Sequence, residues 1–470
     1  MSTALQSPSN MKETGLSWIP DIPSHWDVKR AKLILRELDS RSAKGDEVLL
    51  SVSQYTGVTP RRNRDNSDEQ DTRSESLVGY KKVSTGDLVV NIMLAWNGSL
   101  GASNFDGVVS PAYCVYRFEG DNQPDYYHHL LRTDAYKGRI KVDSRGVVDS
   151  RLRLYSENLF RIELPVPPPD EQAQIVRFIR HLDQRVNRLI KTKRRLIELL
   201  NEQKQAIIHR AVTRGLDPTV PLKPSGIDWL GDMPAHWQNV ALKRSLRAFI
   251  DCEHKTAPMV DSSPFLVVRT TAVRHGRLNL AGTYCTSEEG FGEWTKRGLP
   301  APGDVIFTRE APAGEACIVP EGLSLCLGQR TVLMKLRKSH ILPEFLVMQI
   351  YGGAASREIQ LASQGSTVGH FNMSDIGVLP MLLPPINEQA QIVKEAGEQT
   401  RDFDLAIEKA TAEIDLIREY RTRLVADVVT GQLDVRHLDL PEVEESLIEA
   451  IDAGDDGAAE ETDEGVELFE

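Results

Sequence analysis

The chain carries the same framework twice, in the same order, and no other feature limits its possible folds so strongly. GLSWIPDIPSHW at 15–26 returns as GIDWLGDMPAHW at 226–237, so Trp18, Asp21, Pro23, His25 and Trp26 are matched by Trp229, Asp232, Pro234, His236 and Trp237, 211 positions on. PPDEQAQIV at 168–176 returns as PINEQAQIV at 385–393, a displacement of 217 that holds through Thr213–Asp217 and Thr430–Asp434. Between these anchors the likeness is faint, with GDLVVN at 86–91 against GDVIFT at 303–308. Self-similarity of this kind is read before any local pattern, because missing it misassigns the whole fold. Simple duplication with drift does not explain why only the interiors diverged.

Each half has the same coarse anatomy. The interiors, about 150 residues each, one domain's worth, carry β-rich runs at Val83–Met93, Val108–Phe118, Phe265–Thr271, Asp304–Arg309 and Thr331–Leu336, punctuated by Gly, Pro, Asn and Asp. A proline-rich stop follows, Pro165–Pro169 or Pro380–Pro385, and then Asp170 or Asn387, both good N-cap residues. From Asp170 to about Thr213 the chain reads as one helix. Ile175, Leu182, Leu189 and Leu196 are spaced by seven, with Ile179, Val186, Leu200 and Ile207 on the complementary positions, an a/d seam. The copy places Ile392, Phe403, Ala406, Ala410, Ile417 and Leu424 equivalently, and Gly215 and Gly431 fall just past the ends, as C′ glycines do. Lys193 falls on the seam as a register-setting or snorkelling residue. At 1.5 Å per residue, about 44 residues make a rod of roughly 65 Å.

The overall charge misleads until it is placed along the chain. The 470 residues hold 56 Lys+Arg and 68 Asp+Glu, net −12, which alone argues against phosphate contact. Residues 441–470 contain thirteen of those acids and no base, leaving the first 440 at +1. That tail reads as a solvated, disordered acidic extension. Residues 170–214 carry +6 and 387–434 carry −5, while 1–169 and 215–386 each sum to zero. Opposite fields favour pairing the two rods with each other, and the repeat makes that pair antiparallel with the interiors at opposite ends.

Several classes of chemistry are missing. There is no Gly-Lys dipeptide for a phosphate loop, no G-x-G-x-x-G after a strand, no H-E-x-x-H and no Asn-Pro-Pro-aromatic motif. Pro-Asp pairs at 20–21, 124–125 and 169–170 lead into no E-x-K arrangement. Cys114, Cys252, Cys285, Cys317 and Cys326 include no C-x-x-C pair, so reduced thiols are expected and no metal site. The N-terminus has no secretory pattern and no apolar run reaches a membrane-spanning length, so the expected location is cytoplasmic, away from any membrane.

Two variable interiors, each opened by W-x-x-x-x-P-x-H-W (Trp18–Trp26, Trp229–Trp237) and followed by a P-P-x-x-E-Q-x-x-I-V entry into a long helix (Pro168–Val176, Pro384–Val393), resemble the specificity subunit of type I restriction–modification enzymes. The resemblance covers about residues 15–440; the tail departs from the family pattern. It implies an α+β fold: two mixed α/β target recognition domains separated by a pair of long antiparallel coiled-coil helices, with an internal pseudo-twofold repeat. The expected segments are a disordered N-terminus 1–14, recognition domain 15–166, central helix 167–215, linker 216–225, recognition domain 226–383, C-terminal helix 384–434 and acidic disordered tail 435–470. It further implies a chain without catalysis or cofactor of its own. Its partners would be double-stranded DNA, two methyltransferase subunits using S-adenosylmethionine to methylate adenine N6, and restriction/translocase subunits using ATP and Mg. Each domain would read half of a bipartite asymmetric site, and helix length would fix the spacing, as protein symmetry does in dimeric regulators. The alternatives are a stand-alone DNA-binding regulator or anti-restriction scaffold of the same fold, and an enzyme with an unrecognised site.

Residues suited to base edges and phosphates are Arg61, Arg62, Asn63 and Arg64, then Trp96 and Asn97, then Arg151, Arg153 and Tyr155 in the first interior. In the second they are Arg269, Thr270, Arg274, His275, Arg277, Arg309, His370 and Asn372. The four framework tryptophans, Trp18, Trp26, Trp229 and Trp237, are expected to pack rather than stack on bases.

Overall fold

The periodic stretches after the two proline-rich stops form helices Pro169–Arg214 and Ile386–Val429. In the computed structural model, the described residues are 6–61, 76–364 and 370–440; Arg62, Asn63, Arg64 and the acidic tail from Pro441 lie outside them. The first helix begins at Pro169, so Asp170 sits in its first turn rather than at the cap. Proline suits that position, since its missing N–H would have no helical partner there. Asn387 likewise falls inside the second helix.

The chain divides into two compact units, Met1–Lys193 with Ala412–Glu470, and Arg194–Thr411. Each unit holds one interior and a stretch of both long helices, so the units cut across the segments expected from the sequence. On the first helix Ile175, Ile179 and Val186 are buried as the seam predicts. From Leu189 onward the seam departs from the seven-residue spacing: Leu189 and Leu196 are 44% and 42% exposed, while Ile190 is buried and Ile197 half-buried. A straight α-helix slips about 20° per heptad against a strict 3.5 repeat, so the inward face moves one residue on. On the second helix Ile392, Ala410 and Leu424 are buried and Phe403, Ala406 and Ile417 half-buried.

The first unit is built on an antiparallel four-stranded sheet in the order Leu35–Leu38, Cys114–Phe118, Leu88–Val90, Leu100–Ala102. The second unit's sheet runs Leu246–Asp251, Thr331–Leu336, Val305–Thr308, Ala316–Ile318 in the same order and sense. The faint GDLVVN/GDVIFT match has a physical cause in these sheets. Gly86 and Gly303 take φ of 88° and 85°, accessible to glycine at no steric cost. The next carboxylate closes the turn, Asp87 accepting from Ser84 N at 2.9 Å and Asp304 from Ala301 N at 3.0 Å. The apolar residues that follow form a wholly buried strand. Beyond the sheets the units differ: the second adds a three-stranded sheet of Thr283–Cys285, Phe265–Val268 and Ser324–Leu327.

The repeated motifs are joints between sheet and helix. In the first unit His25 Nε2 lies 2.7 Å from the Glu171 carboxylate, and the Gln172 amide accepts from Gln123 N at 2.8 Å and donates to Pro167 O at 2.8 Å. Gly431, at φ 76°, presses on Pro23 and Trp26 so closely that a Cβ would lie 2.4 Å from Pro23. In the second unit His236 meets Glu388 at 2.8 Å, Gln389 accepts from Leu342 N at 3.0 Å and donates to Pro384 O at 3.0 Å, and Gly215 lies against Trp237. The last helix carbonyls are also held alike: Tyr126 donates to Val429 O at 2.9 Å and Gln349 to Val212 O at 2.8 Å. Trp26 and Trp237 are fully buried; they are packing residues, as expected.

Three of the expected segment boundaries need correction. Met11–Leu16 forms a strand paired with Ile19–Pro23, so the disorder expected for 1–14 does not hold from Met11 on. Leu222–Pro224, placed in a linker, pairs with Asp232–Pro234. Val435 is buried in the first unit's core with Leu438 and Leu440 packed against it, so the body extends to Leu440 rather than ending at 434.

Candidate nucleic-acid interface

In the first unit, strand Leu88–Val90 opens into residues 91–99, where Trp96 and Asn97 occupy a short 3-10 turn. Asn97 is engaged within that turn, accepting from Ser99 N at 3.2 Å and Ser99 Oγ at 2.9 Å. Trp96 is half-buried against the core with the Lys141 ammonium 5.0 Å from its ring centroid, a cation–π distance. Arg153 exchanges two backbone hydrogen bonds of 2.9 Å with Arg145, and Leu154 N donates to Ile92 O at 2.9 Å, so residues 144–155 are stitched to 91–99. Arg151 and Tyr155 stand exposed beside them. Arg61 is exposed at the edge of the described residues, its N–H donating to Leu49 O at 2.9 Å.

The structure adds cations that the sequence reading missed. Lys137 and Lys141 lie on helix Asp134–Asp143, with Arg145 just beyond it; their four-residue spacing was the available signal. Each faces an acid across the surface: Lys137–Asp134 at 3.3 Å, Lys141–Asp149 at 2.8 Å, Arg145–Glu157 at 2.7 Å. Such exposed pairs are worth only ~0.2–1 kcal/mol, so phosphate oxygens could replace the carboxylates at little cost. Arg132 plays a different part. Its guanidinium donates to Ser53, Gln54 and Tyr55 carbonyls at 3.2, 2.8 and 2.6 Å and to Gly98 and Leu100 at 3.1 and 3.0 Å, clamping two loops together.

In the second unit the predicted residues separate into two kinds. Arg309 is 11% exposed, its Nη1 3.0 Å from both Asp251 oxygens and its Nε donating to Phe371 O at 2.9 Å. Thr270 donates to Ala311 O at 2.9 Å, Arg274 to Thr270 O and Val273 O at 3.1 Å, and Asn372 caps helix Met373–Val378 in a capping box with Asp375. His370 is exposed, held by Glu310 and 3.3 Å from Asn372 Oδ1. Arg269, His275 and Arg277 present outward. His275 and Gly276 turn the hairpin of Val273–Arg274 and Arg277–Leu278, with His275 N donating to Glu315 at 2.7 Å. Arg269 lies 5.7 Å from the Tyr284 ring centroid and donates to Gly282 O at 3.1 Å. Arg330, missed from the sequence, joins this end of the sheet with φ 65° and a 3.0 Å pair to Glu310. Its position follows from a backbone conformation that residue type does not announce.

Among the described residues no cluster of three or more His, Cys, Asp or Glu could hold a metal ion, and no helix is long and apolar enough to cross a membrane. The five cysteines are unpaired, and burial pushes the Cys317 and Cys326 thiols up to about 12. In the first unit His129 is held down to about 3, by burial and then by Arg421, Arg132 and Arg180.

A doubled α+β chain of this build has a counterpart of known structure. A solved structure described as the structural basis of complex assembly and conformational transition of the type I R-M system shares its fold, covering 88% of this chain and 99% of its own at a TM-score of 0.56 and 15% identity. Residues 59–199 match the family described as the type I restriction modification DNA specificity domain. Among its relatives, the putative type I restriction enzyme MjaX specificity subunit of Methanocaldococcus jannaschii is 24% identical over 322 residues, 67% of this chain and 69% of that one. The MjaVIII specificity subunit of the same organism is 21% identical over 376 residues, 76% and 83% of the two chains.

Proposed function

We propose that this chain makes the sequence choice for a type I restriction–modification complex, each unit reading one half of a bipartite asymmetric DNA site. The observation that carries this reading is the contrast within each unit. Four-stranded sheets of one strand order are held by the same His–Glu and Gln joints, while the loops at the sheet ends share almost nothing: Trp96, Arg151 and Tyr155 in one, Arg269, His275 and Arg277 in the other. A divergent reading surface on a repeated support suits recognition of two different half-sites.

The long helices act as the ruler, paired as an antiparallel coiled coil within a pseudo-twofold chain. Ion pairs support this pairing: Asp183 meets Arg421 at 2.7 and 2.9 Å and Lys193 meets Glu413 in the first unit, and Lys204 meets Asp404 in the second. In the first unit the partner number falls as the first helix advances, the order an antiparallel pair requires. Lys193 is therefore a seam lysine whose stem packs inward while its ammonium finds a carboxylate. Exposed apolar side chains on these helices support docking of two adenine-N6 methyltransferase subunits: Leu189, Leu416 and Tyr420 in the first unit, Leu196, Leu199 and Leu405 in the second. The chain has no catalysis of its own. S-adenosylmethionine would be bound by those subunits, and ATP and Mg by restriction/translocase subunits.

Co-expression with the cognate methyltransferase and sequencing of methylated adenines tests the reading. A two-part motif is expected, and replacing residues 27–164 by another family member's interior changes one half of it only. Methylation irrespective of sequence overturns the proposal. Full-strength specific binding by the isolated chain would instead favour a stand-alone regulator, against which the net charge of zero in each interior weighs.

A further inference from the structure

We infer that the second unit holds a binding site for a small polyphosphate anion, at the end of its sheet away from the candidate reading residues. Arg309 follows strand Val305–Thr308 and Arg330 precedes Thr331–Leu336, whereas the site lies at the opposite ends of these two strands. The inference stands on a comparison of the two halves and does not rest on the DNA-reading role.

The halves build this sheet end alike, with one exception. In the first unit Arg117 holds Asp87 at 2.8 and 2.9 Å, and in the second Lys335 answers Asp304 at 3.4 Å. Glu119 N donates to Ile34 O at 2.8 Å and Arg337 N to Ser245 O at 2.9 Å, so Glu119 and Arg337 occupy equivalent places. Arg36 and Arg247 correspond likewise, each following the first residue of the edge strand, Leu35 or Leu246. In the first unit Arg36 Nε donates to Glu119 at 2.7 Å. In the second, the Arg337 guanidinium stands where that carboxylate would be. The loop that follows reverses sign as well: residues 119–123 hold two acids and no base, residues 337–342 two bases and no acid.

A cleft of about 690 Å³ opens here, lined by Leu336, Arg337, Lys338, Ser339 and His340 with Arg247. Among the described residues Arg247, Arg337 and Lys338, all exposed, make no ion pair. Asp304 also lines the cleft, but it is engaged by Lys335 and accepts from Ala301 N at 3.0 Å. The cations are held by the backbone rather than carried on a loose loop. Arg337 Nε donates to Leu246 O at 2.9 Å, which uses one of its five N–H donors. His340 N donates to Arg337 O at 2.7 Å, and Gln389 donates to His340 O at 2.8 Å while accepting from Leu342 N at 3.0 Å. The joint to the long helix therefore pins the loop. Lys338 Nζ lies beside the Gly303 turn, 3.9 Å from where a Cβ would stand.

Two guanidiniums and an ammonium sharing one cleft repel one another, and an anion that bridges them removes that repulsion. Arginine matches phosphate oxygens bidentately. The cleft has the volume of a small-molecule site, ~300–1,000 Å³, more than a single phosphate fills. Three fixed charges suit two or three linked phosphoryl groups. Free diphosphate or triphosphate and the phosphate end of a nucleotide share this chemistry.

Titration calorimetry of the full-length chain in magnesium-free buffer at ~0.15 M salt tests the site, with inorganic diphosphate and triphosphate as probes. Saturable binding is expected. At ligand about a hundredfold above Kd the melting temperature should rise by about 5–10 °C, with no rise in sodium chloride of equal ionic strength. R337E gives Arg247 the carboxylate that Arg36 has, and should weaken binding ~10-fold or more without lowering the melting temperature of the unliganded chain. R247Q, which removes one exposed charge, should act in the same direction. Equal affinities for triphosphate and ATP assign the site to the phosphates alone, and ~10-fold tighter ATP assigns it to a nucleotide. No binding of diphosphate or triphosphate, or equal binding by R337E, overturns the site. A short DNA duplex as the sole ligand weakened by R337E overturns it too, and makes Arg337 a DNA contact instead.

Discussion

Arg309 separates recognition from support more sharply than any other predicted residue. Its guanidinium holds both Asp251 oxygens at 3.0 Å and Phe371 O at 2.9 Å with only 11% of the side chain exposed. Arg309→Met keeps the stem and removes these donors. Breaking a buried ion pair by removing one partner costs ~3–5 kcal/mol. Here Asp251 is 24% exposed and keeps His254 at 3.2 Å, so the lower figure of about 2–3 kcal/mol applies. For a unit of this size that lowers the melting temperature by about 4–12 °C. Calorimetry of the full chain should show it, and D251N/R309M should recover part of the loss because no unpaired carboxylate is left. Arg277→Ala is the contrast, since Arg277 is exposed and only 3.7 Å from an equally exposed Glu408. It should leave the melting temperature within about 1 °C and weaken cognate DNA binding. An unchanged melting temperature for Arg309→Met with a tenfold loss of DNA affinity would show that Arg309 reads DNA and would refute its support role.

Gly431→Ala should destabilise the first unit by ~2 kcal/mol or more, because its Cβ meets Pro23 at 2.4 Å at a φ of 76°. Gly397→Ala, in open space on the second long helix, should stabilise by ~0.5–1 kcal/mol in the same thermal assay. Leu189→Asp with Tyr420→Asp should weaken methyltransferase capture by tenfold or more in a pulldown without shifting the melting temperature. His129 ties stability to pH. Its folded value of about 3 lies below its ordinary 6.5, so between these values the unfolded chain binds the proton and the folded one does not. The His129 contribution is complete above pH 6.5 and shrinks as pH falls toward 3; His129→Gln should flatten the loss of stability between pH 6 and 4.

What could be read from the sequence was what recurs at fixed spacing. The long helices were visible because a seam leaves a period, and they begin within a residue of the proline-rich stops. The seam itself was misplaced at Leu189 and Leu196, because the buried face there follows the 3.6-residue period of the helix rather than a strict seven-residue repeat. Sheet order was latent in six residues, GDLVVN and GDVIFT, whose meaning as a turn and a buried strand emerged only with the Asp87 and Asp304 contacts. Recognition residues were hardest. Arg and Asn suit base edges, but the same donors suit carbonyls and helix caps, and residue type does not distinguish Arg309 on Asp251 from Arg277 on the surface.

The joints explain why divergence fell where it did. Glu171 and Glu388 each answer a histidine of a W-x-x-x-x-P-x-H-W motif, and Gln172 and Gln389 each satisfy a backbone N–H and a proline carbonyl. Changing either buried glutamine leaves those backbone groups without their partner, a cost of ~1–3 kcal/mol. An exposed loop side chain such as Tyr155 or Arg269 can be exchanged within about 0.5 kcal/mol. Drift under that difference preserves the joint and the sheet it carries while freeing the loops beyond the sheet ends. The two halves of one chain can then acquire different surfaces without either unit losing its fold, which is the physical requirement for reading two unlike half-sites from one polypeptide.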